Sequence, residues 1–201
     1  MKRVVLLAVA LVSAVALPGC SGSHATARPS ASGVDCLAAS AAPSGPTAAP
    51  SGPAAAPSDP AGGQPLPELE LPCLDGGHPA QVAGIRGPAL VNLWASWCGP
   101  CRTELPAFQR YAQRAAGTVR VIGVSSDDRA DASRALVRDL HLTFPMLFDE
   151  DARLLAASGK IALPVTLFVD ATGRIRYVYN AQPLDEPGLS ALVAQHLGIA
   201  L

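Results

Sequence analysis

The sequence predicts an α/β domain, a mixed central β-sheet flanked by helices, with a β-hairpin at its N-terminal end. Three observations carry this. After residue 63, apolar runs of strand length alternate with segments of helical period. Pro88–Ala95 is an apolar run interrupted only by Asn92, as expected of a central strand buried on both faces. Two short strand-like runs then flank the turn Asp170-Ala171-Thr172-Gly173, which adds an antiparallel pair to the sheet.

The elements follow in chain order. Glu68–Leu71 alternates and reads as a strand, Asp75-Gly76-Gly77 as a turn, and Ala80-Gln81-Val82 as the return strand. After the central strand, Leu105, Phe108, Tyr111, Ala112 and Ala115 recur at helical spacing, and Gly117 closes that helix. Pro106 falls inside it and predicts a kink. Val119–Val124 reads as a second buried strand. Ser125-Ser126-Asp127-Asp128 reads as a turn and N-cap for a helix over Asp131–Leu140. Asp149–Ser158 reads as a short helix ended by Gly159. Val165–Val169 and Ile175–Tyr179 are strands, and Leu189, Leu192, Val193 and Leu197 mark a closing helix.

The chain has 201 residues and a net charge of −1, so it lacks the basic footprint of a nucleic-acid binder. Met1-Lys2-Arg3, the apolar run Val4–Leu17 and the small-residue boundary Pro18-Gly19 read as a secretory signal over residues 1–19. The run is short for a transmembrane helix. Leu17-Pro18-Gly19-Cys20 resembles a bacterial lipobox, which implies lipidation of Cys20; a plain secretory signal or an uncleaved anchor are the alternatives. Each places the domain at or beyond the outer face of the cell membrane, where disulfides persist. Residues 20–63 are dominated by Ala, Pro, Ser and Gly, which predicts a disordered tether. The folded domain is expected over residues 64–201.

The chemistry-bearing motif is Trp97-Cys98-Gly99-Pro100-Cys101, placed where a buried strand hands over to a helix. A cysteine there lies near unsatisfied N–H groups and the positive end of the helix dipole. Both favour the thiolate and lower a thiol below the free value of about 8.5. The thiolate is the attacking species in disulfide exchange. Cys98 is therefore the expected nucleophile, and Cys101, one turn later, the expected resolving thiol. Pro100 suits the first helical turn, where its missing N–H is tolerated. A zinc half-site would need a second ligand pair, which Cys36 and Cys73 are spaced too widely to supply as a knuckle. His78, His141 and His196 show no ligand spacing, so no metal or other cofactor is called for. Trp94 and Trp97 are expected around the dithiol, forming part of an apolar surface for partner proteins.

Leu93-Trp94-Ala95-Ser96-Trp97-Cys98-Gly99-Pro100-Cys101-Arg102 resembles the active-site segment of the thioredoxin superfamily, and most of all its TlpA/ResA-like, membrane-anchored branch. The similarity extends through Arg102–Pro106, Gly123-Val124-Ser125 and Leu163–Asp170. It implies a thioredoxin-like fold and thiol-disulfide exchange on protein substrates, which dock over Trp97, Leu163 and Pro164. It implies that Leu163-Pro164 is a cis bond beside the dithiol, and that Glu104 exchanges a proton with Cys101. A solvated first-turn glutamate is the alternative for Glu104. Cytoplasmic thioredoxins carry a buried aspartate where Asn92 stands; asparagine cannot titrate, which leaves Glu104 as the acid/base candidate. Gly99-Pro100 is also the pair between the cysteines of reducing thioredoxins, whose potential is about −270 mV against about −120 mV for DsbA. A reductant or isomerase of protein disulfides is thereby implied, the reductant fed by a membrane thiol donor, with apocytochrome c among its candidate substrates. A thiol peroxidase and a copper-handling binding module are the rival classes. Cys36 and Cys73 either pair as a structural disulfide or remain a free and a buried thiol.

Overall fold

The computed structural model describes Cys36, Leu37 and residues 62–201. The signal segment, Cys20 and most of the tether lie outside the described residues. The strands are β1 (Gln64–Pro65), β2 (Glu70–Leu71), β3 (Ala80–Gln81), β4 (Ala89–Trp94), β5 (Arg120–Ser126), β6 (Met146–Asp149), β7 (Val165–Val169) and β8 (Arg174–Tyr179). The helices are α1 (Gly99–Arg114), α2 (Ala130–Asp139), α3 (Arg153–Ala157) and α4 (Glu186–Leu197).

A six-stranded sheet runs in the order β1-β8-β7-β4-β5-β6. β4 is parallel to β5 and antiparallel to β7, so the sheet is mixed. β2 and β3 form a separate hairpin, with Leu71 opposite Ala80. All six residues of β4 are buried. Its side chains alternate between two cores. Leu90 and Trp94 pack with Leu105 and Phe108 of α1 and Leu189 and Val193 of α4. Ala89, Val91 and Leu93 pack with Leu71 and Ala80 of the hairpin and Leu154 of α3. Each fully buried Leu, Val or Phe among them contributes about 1.5–3 kcal/mol. Asn92 is the one polar residue of this strand, and the alternation puts it on the α1 side.

Gly123 lets the first core close. A Cβ there would lie 2.3 Å from Met146 Sδ and 3.0 Å from Trp94 Nε1. α1 runs without interruption through Pro106 to Arg114.

Two strands were not expected. β1 is only two residues long, Gln64 opposite Ile175 and Pro65 opposite Arg174, too short for a side-chain pattern to announce it. β6 occupies Met146–Asp149, and this shortens the expected helix Asp149–Ser158 to Arg153–Ala157. Four apolar-leaning residues after a proline do not separate strand from helix by period. Pairing with β5 decides it. Asp149 ends that strand, and its buried carboxylate accepts from the N–H groups of Arg153 and Leu154 at 3.0 and 2.9 Å, which starts α3. Gly87-Pro88, just ahead of β4, is a second and unanticipated cis bond.

Cys36 and Cys73 are joined by a disulfide, with Cα atoms 6.0 Å apart and a sequence separation of 37. Cys73 forms a bridge with Leu147 of β6, and Arg120 at the start of β5 donates to the Leu37 carbonyl at 3.1 Å. The crosslink therefore sits where β5 and β6 begin. In the chain-entropy account, a loop of this size removes about 3–4 kcal/mol of unfolded-state freedom. Replacing both Cys36 and Cys73 by serine is expected to lower unfolding stability by that amount in denaturant titration. An unchanged midpoint would show that the bond constrains nothing.

Candidate active site

β4 ends at Trp94, and the chain turns through Ala95–Trp97 into α1. The turn is closed by the Cys98 N–H donating to the Ala95 carbonyl at 3.2 Å. Cys98 is the N-cap of α1, and its Sγ accepts from the Cys101 N–H at 3.2 Å. The expected nucleophile therefore takes the place of an ordinary capping oxygen, with its sulfur on the helix's first free donors. Cys98 and Cys101 form a disulfide with Cα atoms 5.3 Å apart. Cys98 is 4% exposed and Cys101 is not exposed at all, so an incoming sulfur reaches Cys98 first.

A second segment holds this turn in place. The Asp128 carboxylate accepts from the Ser96 N–H, and from the Ser96 and Ser133 hydroxyls at 2.8 Å each. Trp97 Nε1 donates to the Asp127 carbonyl at 2.7 Å. This corrects the expectation for residues 125–128. Ser125 and Ser126 end β5, and the N-cap of α2 is Arg129, with no side-chain cap bond. Asp128 faces the active-site turn because β4 and β5 are parallel neighbours and their C-terminal loops meet. Trp97 is 61% exposed, but Trp94 is fully buried. Trp94 thus belongs to the core and not to the outer surface expected for it, since side chains at even positions of β4 point under α1.

Leu163-Pro164 is cis. Val165 pairs with Leu93, so Pro164 lies beside the end of β4 from which the dithiol turn departs. Asn180 clamps this segment, its Nδ2 donating to the Ala162 carbonyl at 3.0 Å and the Pro164 carbonyl at 2.7 Å. Ile161, just ahead of it, is 98% exposed. Neither Asn180 nor Ile161 was singled out from sequence, because both read as ordinary loop residues.

Glu104 lies one turn beyond Cys101 and is 1% exposed. It is a buried carboxyl, not a solvated first-turn residue. Its Oε1 accepts from Asn92 Nδ2 at 2.8 Å and its Oε2 from the Leu184 N–H at 3.1 Å. Asn92 Nδ2 also reaches Thr166 Oγ1 at 3.2 Å. Burial pushes the Glu104 carboxyl up to about 7, against the opposing pull of the Leu184 and Asn92 bonds. Such a group takes and gives protons near neutral pH. Among the described residues, no cluster of three or more His, Cys, Asp or Glu side chains is placed to hold a metal.

Residues 62–178 match the model of the AhpC/TSA family. The chain belongs to the AhpC/TSA family. The thiol:disulfide interchange protein DsbE of Pseudomonas fluorescens biotype C is 36% identical over 119 residues, 58% of this chain and 65% of that protein, so the match spans less than two thirds of that relative. The thioredoxin-like protein YneN of Bacillus subtilis is 30% identical over 120 residues, 58% of this chain and 70% of that protein. A secreted Mycobacterium tuberculosis disulfide oxidoreductase homologous to E. coli DsbE superposes with a TM-score of 0.58 at 24% identity, covering 64% of this chain and 96% of that one. The fold of this AhpC/TSA family member is thioredoxin-like, with its dithiol and buried carboxyl carried on one helix.

The raised carboxyl has a consequence for stability. Between 4.5, its ordinary value, and about 7, the folded chain holds a proton that the unfolded chain has lost. Stability therefore falls as pH rises through this window. Relative to Glu104→Gln, the wild-type chain is expected to lose about 2–3 kcal/mol between pH 5 and 8. Parallel denaturant midpoints for the two proteins across that range would refute a raised carboxyl.

Proposed function

We propose that this protein is an extracytoplasmic thiol-disulfide oxidoreductase acting chiefly as a reductant of protein disulfides. The observation that carries the reading is the Cys98–Cys101 pair at the start of α1, with Cys98 the less buried of the two and a buried carboxyl one turn below.

In the reduced protein, the Cys98 thiolate attacks one sulfur of the partner's disulfide. A mixed disulfide forms, and the partner's other sulfur leaves and takes a proton. Cys101 then loses its proton to Glu104 and attacks Cys98, which releases the partner's second thiol. Two electrons pass from the Cys98/Cys101 pair to the partner, and the pair ends oxidised. A thiol donor at the membrane must reduce it again for turnover.

Trp97, Leu163 and Pro164 form the docking surface in this reading, with Ile161 at its margin. Burial of Cys101 protects the resolving thiol, while the held turn presents Cys98. The relatives' names as thiol:disulfide interchange proteins support the activity. Export by residues 1–19, lipidation at Cys20 and a tether to residue 63 would keep the domain at the outer face of the membrane. Cysteines of apocytochrome c that await haem attachment are one substrate class suited to such a reductant.

The decisive experiment is trapping. A Cys101→Ser variant is expected to accumulate mixed disulfides through Cys98 in its native compartment, with Cys98→Ser trapping none. Mass spectrometry then names the partners. A variant whose reduced, accessible Cys98 captures no protein would overturn the exchange reading.

A further inference from the structure

The bond between Asn92 and Glu104 has an unusual feature on its far side. Asn92 is fully buried, and its Oδ1 has no hydrogen-bond partner among the described residues. An orphaned buried acceptor is costly. An apolar side chain on β4 would avoid that cost, so the amide's ambivalence is the feature to explain.

The chemistry of the partner supplies a reason. An ionised carboxylate only accepts hydrogen bonds, whereas a neutral carboxyl must also donate one. The Leu184 N–H holds Oε2, so a proton taken up by Glu104 sits on Oε1, facing Asn92. As arranged, Asn92 presents Nδ2 to Oε1, which suits the ionised form and offers no acceptor to a proton carried on Oε1. A half-turn about the terminal torsion of asparagine exchanges Nδ2 and Oδ1 with almost no change of shape. Oδ1 would then accept from the Glu104 acid. It would also accept from the hydroxyl of Thr166, which stands directly opposite Asn92 in register and can donate as readily as accept. Either orientation leaves one end of the amide unpaired.

We propose that Asn92 is a positioning residue that reverses its side-chain amide when Glu104 takes up a proton, giving the carboxyl a hydrogen-bond partner in both protonation states. This rests on the reading of Glu104 as the proton partner of Cys101. In that step the Cys101 S–H bond breaks, an O–H bond forms on Glu104, and no electrons change hands. Because burial holds the carboxyl near 7, both orientations are visited under ordinary conditions. The titratable group that faces this carboxyl from another element is Tyr179 on β8, while Cys98 and Cys101 are joined as a disulfide and hold no proton in the oxidised chain. The Tyr179 hydroxyl is raised by burial, with smaller contributions from Tyr177 and Glu104. None of them supplies the missing acceptor.

The test is nuclear magnetic resonance on the full, isotope-labelled oxidised chain between pH 5 and 9. The Glu104 carboxyl carbon reports its own titration, and the Asn92 side-chain amide is assigned by its loss in Asn92→Asp. At high pH the amide protons are expected to show close contacts to Thr166, and these contacts should vanish at low pH with the Glu104 midpoint. Contacts that persist across the titration overturn the proposal while leaving Glu104 as an acid/base. A carboxyl with no midpoint near neutrality overturns both. Asn92→Ala provides a second reading. A one-way donor predicts that its removal raises the Glu104 midpoint by about one to two pH units. The reversing amide predicts a change of a few tenths, because both protonation states lose a partner.

Discussion

The burial of the Glu104 carboxyl against Asn92 is the constraint on which the rest of the site depends. A charged group of this kind is expensive to place in an apolar core, and it persists there only with partners. Its two hydrogen bonds tie three elements together: α1, which carries the dithiol; β4, the central strand; and the segment that leads into α4. The same desolvation that makes the carboxyl costly brings its proton into the range where a thiol can use it. Structural cost and chemical utility are here one interaction.

The dithiol itself is presented by elements that carry none of the chemistry. The strand-to-helix turn is short, and its backbone is held from outside by Asp128 and the Asp127 carbonyl. The cis-proline segment is held by Asn180. These are neutral and charge-assisted bonds from loops at the C-terminal ends of the strands. Their common effect is to fix Cys98 at the helix start while Trp97 and Ile161 remain open to solvent. A sulfur in a capping position is served by this rigidity, because hydrogen bonds from the helix donors weaken as distance and angle drift.

The second disulfide works at the other end of the molecule. Cys36 and Cys73 lie beside the starts of β5 and β6, whereas the dithiol lies beyond the end of β4. The parallel arrangement of β4, β5 and β6 separates the two sulfur pairs by the length of the strands. A constraint on the unfolded chain is thus kept away from the Cys98–Cys101 pair.

Much of this was legible in the sequence because it is local. The Cys98–Cys101 spacing, the handover from an apolar run to a helical period, and the position of Glu104 one turn on are fixed by covalent order and by the geometry of a helix. The mixed sheet followed from the order of the elements. What only the tertiary structure decided was long-range. β6 exists because β5 pairs with it, and β1 because β8 offers an open edge. Trp94 packs beneath α1 because of the side of β4 it occupies, and Asp128 turns toward Ser96 because two parallel strands end together. The meeting of Asn92, Thr166, Glu104 and Leu184, whose hydrogen-bonded pairs lie up to 80 residues apart, depends on register, which local sequence does not encode. The sequence by itself therefore placed the sulfurs, and the fold determined the environment of the carboxyl one turn away from them.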